Sequence, residues 1–181
     1  MGTIKPQFFP VYAFSSDPNL DQFESKYVAD LLMAAEEKSI YSSQPNRKTY
    51  RFTKTDQWIG TISIVPMDKT AALTTKHLTY NGQQLPGIGS YTLATKTLNQ
   101  YEWNRFNQLF QQSDFWNLTS SEEPQGLDGY HWICEVCDED QYHLVNRWCP
   151  RQTGYASLCD FVFKLTQGTQ ESSFWERLKG R

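Results

Sequence analysis

The residues best suited to chemistry fall in one stretch: His131, Cys134, Glu135, Cys137, His143, Arg147 and Cys149. Three kinds of chemistry fit these types. Cys134-x-x-Cys137 has the spacing of a zinc half-site, with His131, His143, Cys149 and Cys159 within reach along the chain. Regular strand geometry, however, sends residues three apart to opposite faces. No glycine follows to shape a metal-binding knuckle, and Cys149 and Cys159 lack the short spacing of a matching half-site. A thiol nucleophile is the second chemistry, with Cys137 diagonal to His143 as base and Glu135 orienting the imidazole. Nothing supplies an oxyanion hole, and the end of a hairpin excludes water poorly. The third is structural: an exposed cross-strand pair of Glu135 with His143, worth at most ~1 kcal/mol. It is the leading reading, so no catalytic residue, metal or cofactor is assigned. Zinc binding by Cys134, Cys137 and Cys149, or a Cys/His hydrolytic enzyme on the 131–149 hairpin, stands as the alternative.

These residues need a β-hairpin to position them. Residues 130–136 and 142–148 alternate with period two on either side of the acidic turn Asp138-Glu139-Asp140. A register placing Cys137 opposite Gln141 puts Tyr130, Trp132, Cys134, Val136, Tyr142, Leu144, Asn146 and Trp148 on the core face. The other face then carries His131, Glu135, His143 and Arg147, with Glu135 opposite His143. Glu135, His143, Arg147, Asp138, Glu139 and Asp140 form the candidate binding set, the carboxylates offering a surface for a basic partner.

The rest of the chain reads as a meander framed by helices. Asp17 caps a helix from about Asp17 to Lys38, with Pro18 at its first position and Leu20, Phe23, Tyr27, Leu31 and Ala35 as its apolar stripe. Phe8 to Phe14, broken by Pro10, reads as an edge segment or packed arm. Strands follow around Tyr50 and Phe52, from Trp58 to Ile64, from Ala71 to Tyr80 with the turn Asn81-Gly82, and around Tyr91 and Leu93. Asn99 and Glu102 make a capping box for a second helix, with Leu98 and Trp103 as its staple and Trp103, Phe106, Leu109 and Phe110 buried. A third helix spans about Tyr155 to Gln167 and stops at Gly168, before a short amphipathic tail opened by Ser173 and Glu176. The expected fold is a single α+β domain over residues 1–181: one antiparallel sheet of about five to seven strands, with two or three helices packed on one face.

Composition removes several classes of function. Seventeen Lys plus Arg against twenty Asp plus Glu gives a net charge of −3, without the basic stripe that nucleic acid requires. No apolar run reaches the ~20 residues of a membrane span, and no secretory leader pattern opens the chain. A cytoplasmic location is favoured over a periplasmic one. Aromatic residues reach 15%, enough for an aromatic core or an adhesive surface. Gly87-Ile88-Gly89-Ser90 lacks the lysine and helix of a phosphate loop. His77 sits alone, and buried thiols are the default for four cysteines in a chain of this size.

The run Gly126-Leu127-Asp128-Gly129, Trp132, Glu135, Tyr142-His143, Val145, Arg147-Trp148 and Pro150 resembles a block in small uncharacterised bacterial proteins, GLDG-x-x-W-x-x-E followed by YH-x-V-x-R-W-x-P. The resemblance covers about 25 of the 181 residues and implies a shared fold element without an activity. A small, acidic, aromatic-rich domain of this kind is expected to be a non-enzymatic protein-binding module of bacterial origin, such as an immunity protein that neutralises a toxin. In that reading the acidic hairpin ends and exposed aromatics make the contact. A structural subunit with its aromatics in an oligomer interface is a further expectation.

Overall fold

Four consecutive β-prone segments turn back on one another, and a later hairpin then extends the opposite edge. The computed structural model describes residues 7–55, 60–79, 87–122, 129–151 and 153–179, with side chains through residue 167. Its order is α1 (Pro18–Ala34), α2 (Ile40–Ser43), β1 (Thr49–Lys54), β2 (Gly60–Pro66), β3 (Ala71–Leu78), β4 (Tyr91–Leu98), α3 (Gln100–Gln112), a short 3-10 turn (Phe115–Asn117), β5 (His131–Asp138), β6 (Gln141–Trp148) and α4 (Gly154–Lys179). The strands form one six-stranded antiparallel sheet ordered β4-β3-β2-β1-β5-β6. The α+β class and single sheet are as expected; Trp58 and the Asn81-Gly82 turn lie outside the described residues.

Both faces of the sheet are used. Tyr50, Phe52, Ile62, Ile64, Leu73, Trp132, Cys134, Val136 and Val145 project to one side and pack with Phe106 and Phe110 of α3 and with Leu158 and Val162 of α4. Two helices thus cover one face. On the other side Ile133 and Leu144 meet Val28 and Leu32 of α1 and the arm residues Phe8, Phe9 and Phe14. Gly154 is the crossing point of the two covering helices: a Cβ there would lie 2.6 Å from the carbonyl oxygen of Gln112.

Local signals set the helix starts. The Asp17 carboxylate accepts from the N–H groups of Asn19 and Leu20. Asn99 and Glu102 exchange both bonds of a capping box, at 2.9 and 3.0 Å. Helix ends depart from expectation. α1 stops at Ala34, because Glu36 turns left-handed at φ 52° and frees the next carbonyls for the sheet. α4 runs through Gly168 to Lys179, and the Ser173–Glu176 pair lies within it; one interior glycine costs only ~1 kcal/mol. The apolar stripe of α1 is also only half buried. Leu31 and Ala35 are enclosed, while Leu20 and Phe23 are 56% and 67% exposed.

Asp21 takes the inward position that the stripe assigned to apolar residues. It is buried, and its carboxylate accepts from the backbone N–H groups of Tyr12 and Phe14, both at 2.8 Å, and of Ser15 at 3.4 Å. This one side chain fastens the arm to α1. Asp21→Ala removes three hydrogen bonds to backbone N–H groups and should cost about 2–3 kcal/mol in urea unfolding. Limited proteolysis should then cut first within residues 7–16; an arm as resistant as that of the parent protein would contradict the role.

Candidate functional site

The hairpin closes one residue tighter than the expected register. Asp138 pairs with Gln141, leaving Glu139 and Asp140 as a two-residue turn with Glu139 left-handed at φ 53°. Two-residue turns match the twist of paired strands, which favours this closure over a three-residue one. A slip of one residue reverses the facing of the whole second strand. His143, Val145 and Arg147 therefore share the α3/α4 side with Trp132, Cys134 and Val136. His131, Ile133, Glu135 and Cys137 share the α1 side with Tyr142, Leu144, Asn146 and Trp148. Glu135 lies opposite Leu144, and the expected Glu135–His143 pair does not form.

Glu135 instead meets Arg51, its register partner on β1. Both side chains are fully buried. Arg51 Nε donates to Glu135 Oε2 at 2.7 Å, and Nη2 makes an ion-pair contact with that oxygen at 2.6 Å without a hydrogen bond of its own. The Tyr142 hydroxyl donates to Oε1 at 2.9 Å, and Arg51 Nη1 donates to the Lys38 carbonyl at 2.7 Å. Lys76 pairs with Glu37 at 3.0 Å and donates to the Ala35 and Glu36 carbonyls, where the α1 dipole is negative. Burial pushes the Glu135 carboxyl above its ordinary value, against the opposing pull of Arg51 and Tyr142. The pair offsets part of its own desolvation, so it orients α1 more than it stabilises the fold.

The other expected residues are scattered. His143 Nε2 donates to the Leu118 carbonyl at 2.9 Å; a carbonyl only accepts, so the proton sits on Nε2. Arg147 is 7% exposed, donates to the Asn146 carbonyl at 2.8 Å and meets Glu122 at 3.2 Å. His131 Nδ1 lies 2.9 Å from Asn146 Oδ1. Cys134 and Cys159 are buried in the α3/α4 core, Cys137 on the α1 side, and Cys149 is half-buried beyond β6. Cys137, Glu135 and His143 do not form a nucleophile–base set, and among the described residues no group of three or more His, Cys, Asp or Glu is placed to hold a metal ion. Burial raises the Cys134, Cys137 and Cys159 thiols above their ordinary values. Gly129 is held by this strand end too: a Cβ there would lie 2.5 Å from Trp148 Nε1 and 2.6 Å from Cys149 Sγ.

Of the candidate binding residues, Asp138, Glu139 and Asp140 do share a surface. Asp138 pairs with Lys48 at 2.5 Å, and Glu139 and Asp140 are exposed at the tip. Lys48 also borders a cavity of about 280 Å³ floored by Tyr50, Phe110, Phe115 and Trp116 and rimmed by Asn107, Gln111 and Asp114. The floor is a run of ring contacts: Tyr50 to Phe110 at 5.1 Å, Phe110 to Phe115 at 5.2 Å, Phe115 to Trp116 at 5.6 Å. Behind it the His143 ring sits against Phe115 and Trp116, at 5.1 and 6.1 Å. Trp116 is 36% exposed. Trp116, Lys48 and Asp114 carry no motif in the sequence, and only the fold brings them together. Asp114 takes a left-handed conformation that an aspartate tolerates better than most residues.

No family model, no curated protein and no solved structure matches the chain.

Two measurements check this geometry. Arg51→Met alone strands a buried carboxylate and should cost about 3–5 kcal/mol in urea unfolding, whereas Arg51→Met with Glu135→Leu should recover most of that loss. Equal losses in the single and double variants would remove the pair. In native protein one thiol of four, Cys149, should react quickly with a disulfide reagent; Cys134 and Cys159 should react only on unfolding. Fast labelling of Cys134 would contradict its burial.

Proposed function

We propose that this domain is a non-enzymatic protein-binding module and that its contact surface is the hairpin tip with the Trp116 cavity. The observation that carries the reading is a half-exposed tryptophan in the wall of an aromatic-lined cavity that Asp114 borders. Asp114 and Lys48 border the cavity, Lys48 pairs with Asp138, and the exposed Glu139 and Asp140 follow at the hairpin tip. Tryptophan is enriched among residues that dominate binding energy, and a pocket around it excludes water. The chemistry suits an arginine-bearing segment of a protein partner. A guanidinium stacks on aromatic faces and pairs with carboxylates at once, which an ammonium does less well. Neutralisation of a basic partner, in the manner of a bacterial immunity protein acting on a toxin, is the specific form of the proposal. The acidic net charge of −3 favours association with such a partner.

The surface is testable with a defined probe. Titration with a short peptide carrying two arginines and one aromatic residue should shift the Trp116 indole and Phe115 ring signals in NMR spectra. Raising the salt should weaken binding. Trp116→Ala should weaken it by more than about tenfold, ~1.4 kcal/mol, without loss of folding. Shifts confined to other surfaces, or binding indifferent to Trp116→Ala, would sink the assignment.

A further inference from the structure

The sheet has two edges, and the chain treats them differently. Alongside β6 runs the segment 118–120: the Asn146 N–H donates to the Ser120 carbonyl at 2.7 Å, and His143 and Arg147 reach the Leu118 and Ser120 carbonyls. β4 pairs with β3 along all eight of its residues, and among the described residues no strand pairs with its outer side. The ladder fixes which groups face outward. The Thr79 N–H donates to the Ser90 carbonyl at 2.9 Å, so this is a hydrogen-bonded pair and every second pair beyond it is another. The N–H and C=O groups of Tyr91, Leu93, Thr95 and Thr97 therefore point away from β3; the Tyr91 N–H already donates to the Gly89 carbonyl at 3.0 Å, so the pairing stretch begins at Leu93.

Few of the usual devices blunt this edge. The strand is regular, contains no proline, and its register with β3 has no bulge. Its one charge, Lys96, is held by Glu102 of α3 at 2.9 Å. Leu93 is 58% exposed on the α1 side, where the register continues from Thr95 to Thr74 and Ser63, and from Thr97 to Ala72 and Val65. Those four inner residues are half-buried, and none is charged.

We propose that β4 is a dimerisation strand whose occupant is β4 of a second copy of this chain. Antiparallel pairing about a two-fold axis then joins six strands from each copy into one continuous sheet. Charge selects the second copy. The charges that border the strip, Lys76 beside Leu93 and Lys96 within β4, are held by Glu37 and Glu102, so the strip meets itself without unpaired lysines across the axis, whereas a partner recognised through charge finds both lysines already engaged. The edge lies across the sheet from the hairpin, so the proposal stands independently of the Trp116 surface.

Sedimentation equilibrium on the full chain tests it. The expected mass is that of two copies, dissociating on dilution. Leu93→Lys sets lysines close together across the axis, and Thr95→Pro removes an outward N–H without taking a bond from β3. Each should raise the dissociation constant at least about tenfold while the far-UV spectrum stays unchanged. Leu20→Lys, at an equally exposed leucine on α1, should leave the dimer intact. Three outcomes would overturn the proposal: a single-copy mass for the parent protein at every concentration, a dimer that survives both β4 substitutions, or a dimer lost through Leu20→Lys.

Discussion

The guanidinium of Arg51 and the carboxylate of Glu135 lie between β1 and β5, enclosed by the sheet and by the chain that leaves α1. Neither can reach water, so each must find its partners within the fold. Arg51 also binds the Lys38 carbonyl, and Lys76 binds the carbonyls of Ala35 and Glu36. The end of α1 is thereby tied to three adjacent strands: β3 through Lys76, β1 through Arg51, and β2 through the hydroxyl of Thr61, which donates to Glu37. Apolar contacts between α1 and the sheet are non-directional, and many orientations would satisfy them. The charged contacts are directional, and they select one. That selection brings Val28 and Leu32 over Ile133 and Leu144, and it sets the arm on which Phe8, Phe9 and Phe14 are buried.

Burial of β5 and β6 on both faces explains much of what the sequence conceals. Alternation reveals facing only when one side of a strand meets water. Here Trp132 and Ile133, adjacent in sequence, enter different cores, as do Leu144 and Val145. An apolar–polar rhythm read from such strands fits two registers equally well, and the turn length decides between them. Elements whose signal is local were legible: the capping box of Asn99 and Glu102, the Asp17 cap, and the strands around Tyr50 and Ile62. Elements defined by long-range partners were not. Glu135 appears in the sequence as a charged strand residue; its meaning lies 84 positions earlier, at Arg51. The same holds for the Trp116 cavity, whose floor is drawn from β1, α3 and the turn after it.

The division of labour follows from these constraints. Most of the polar and aromatic residues that stand out around the hairpin have structural work. Trp132 fills the α3/α4 core, Glu135 completes the buried pair, His143 and Arg147 hold the segment that covers β6, and Gly129 admits Trp148 and Cys149. What the frame leaves outside is Trp116, the carboxylates of the tip and the open edge of β4. The proposed contacts rest on these surfaces, and among the described residues the thiols join no group placed to hold a metal ion.

The electrostatic anchor makes α1 part of the cooperative core. Native-state hydrogen exchange tests it most directly, by comparing the amides of Leu31 to Ala35 with those of β1 and β5 across rising denaturant. Both groups should exchange only through global unfolding, with the same opening free energy and the same denaturant dependence. Exchange of the α1 amides through a separate opening of lower free energy, while β1 and β5 stay protected, would contradict it.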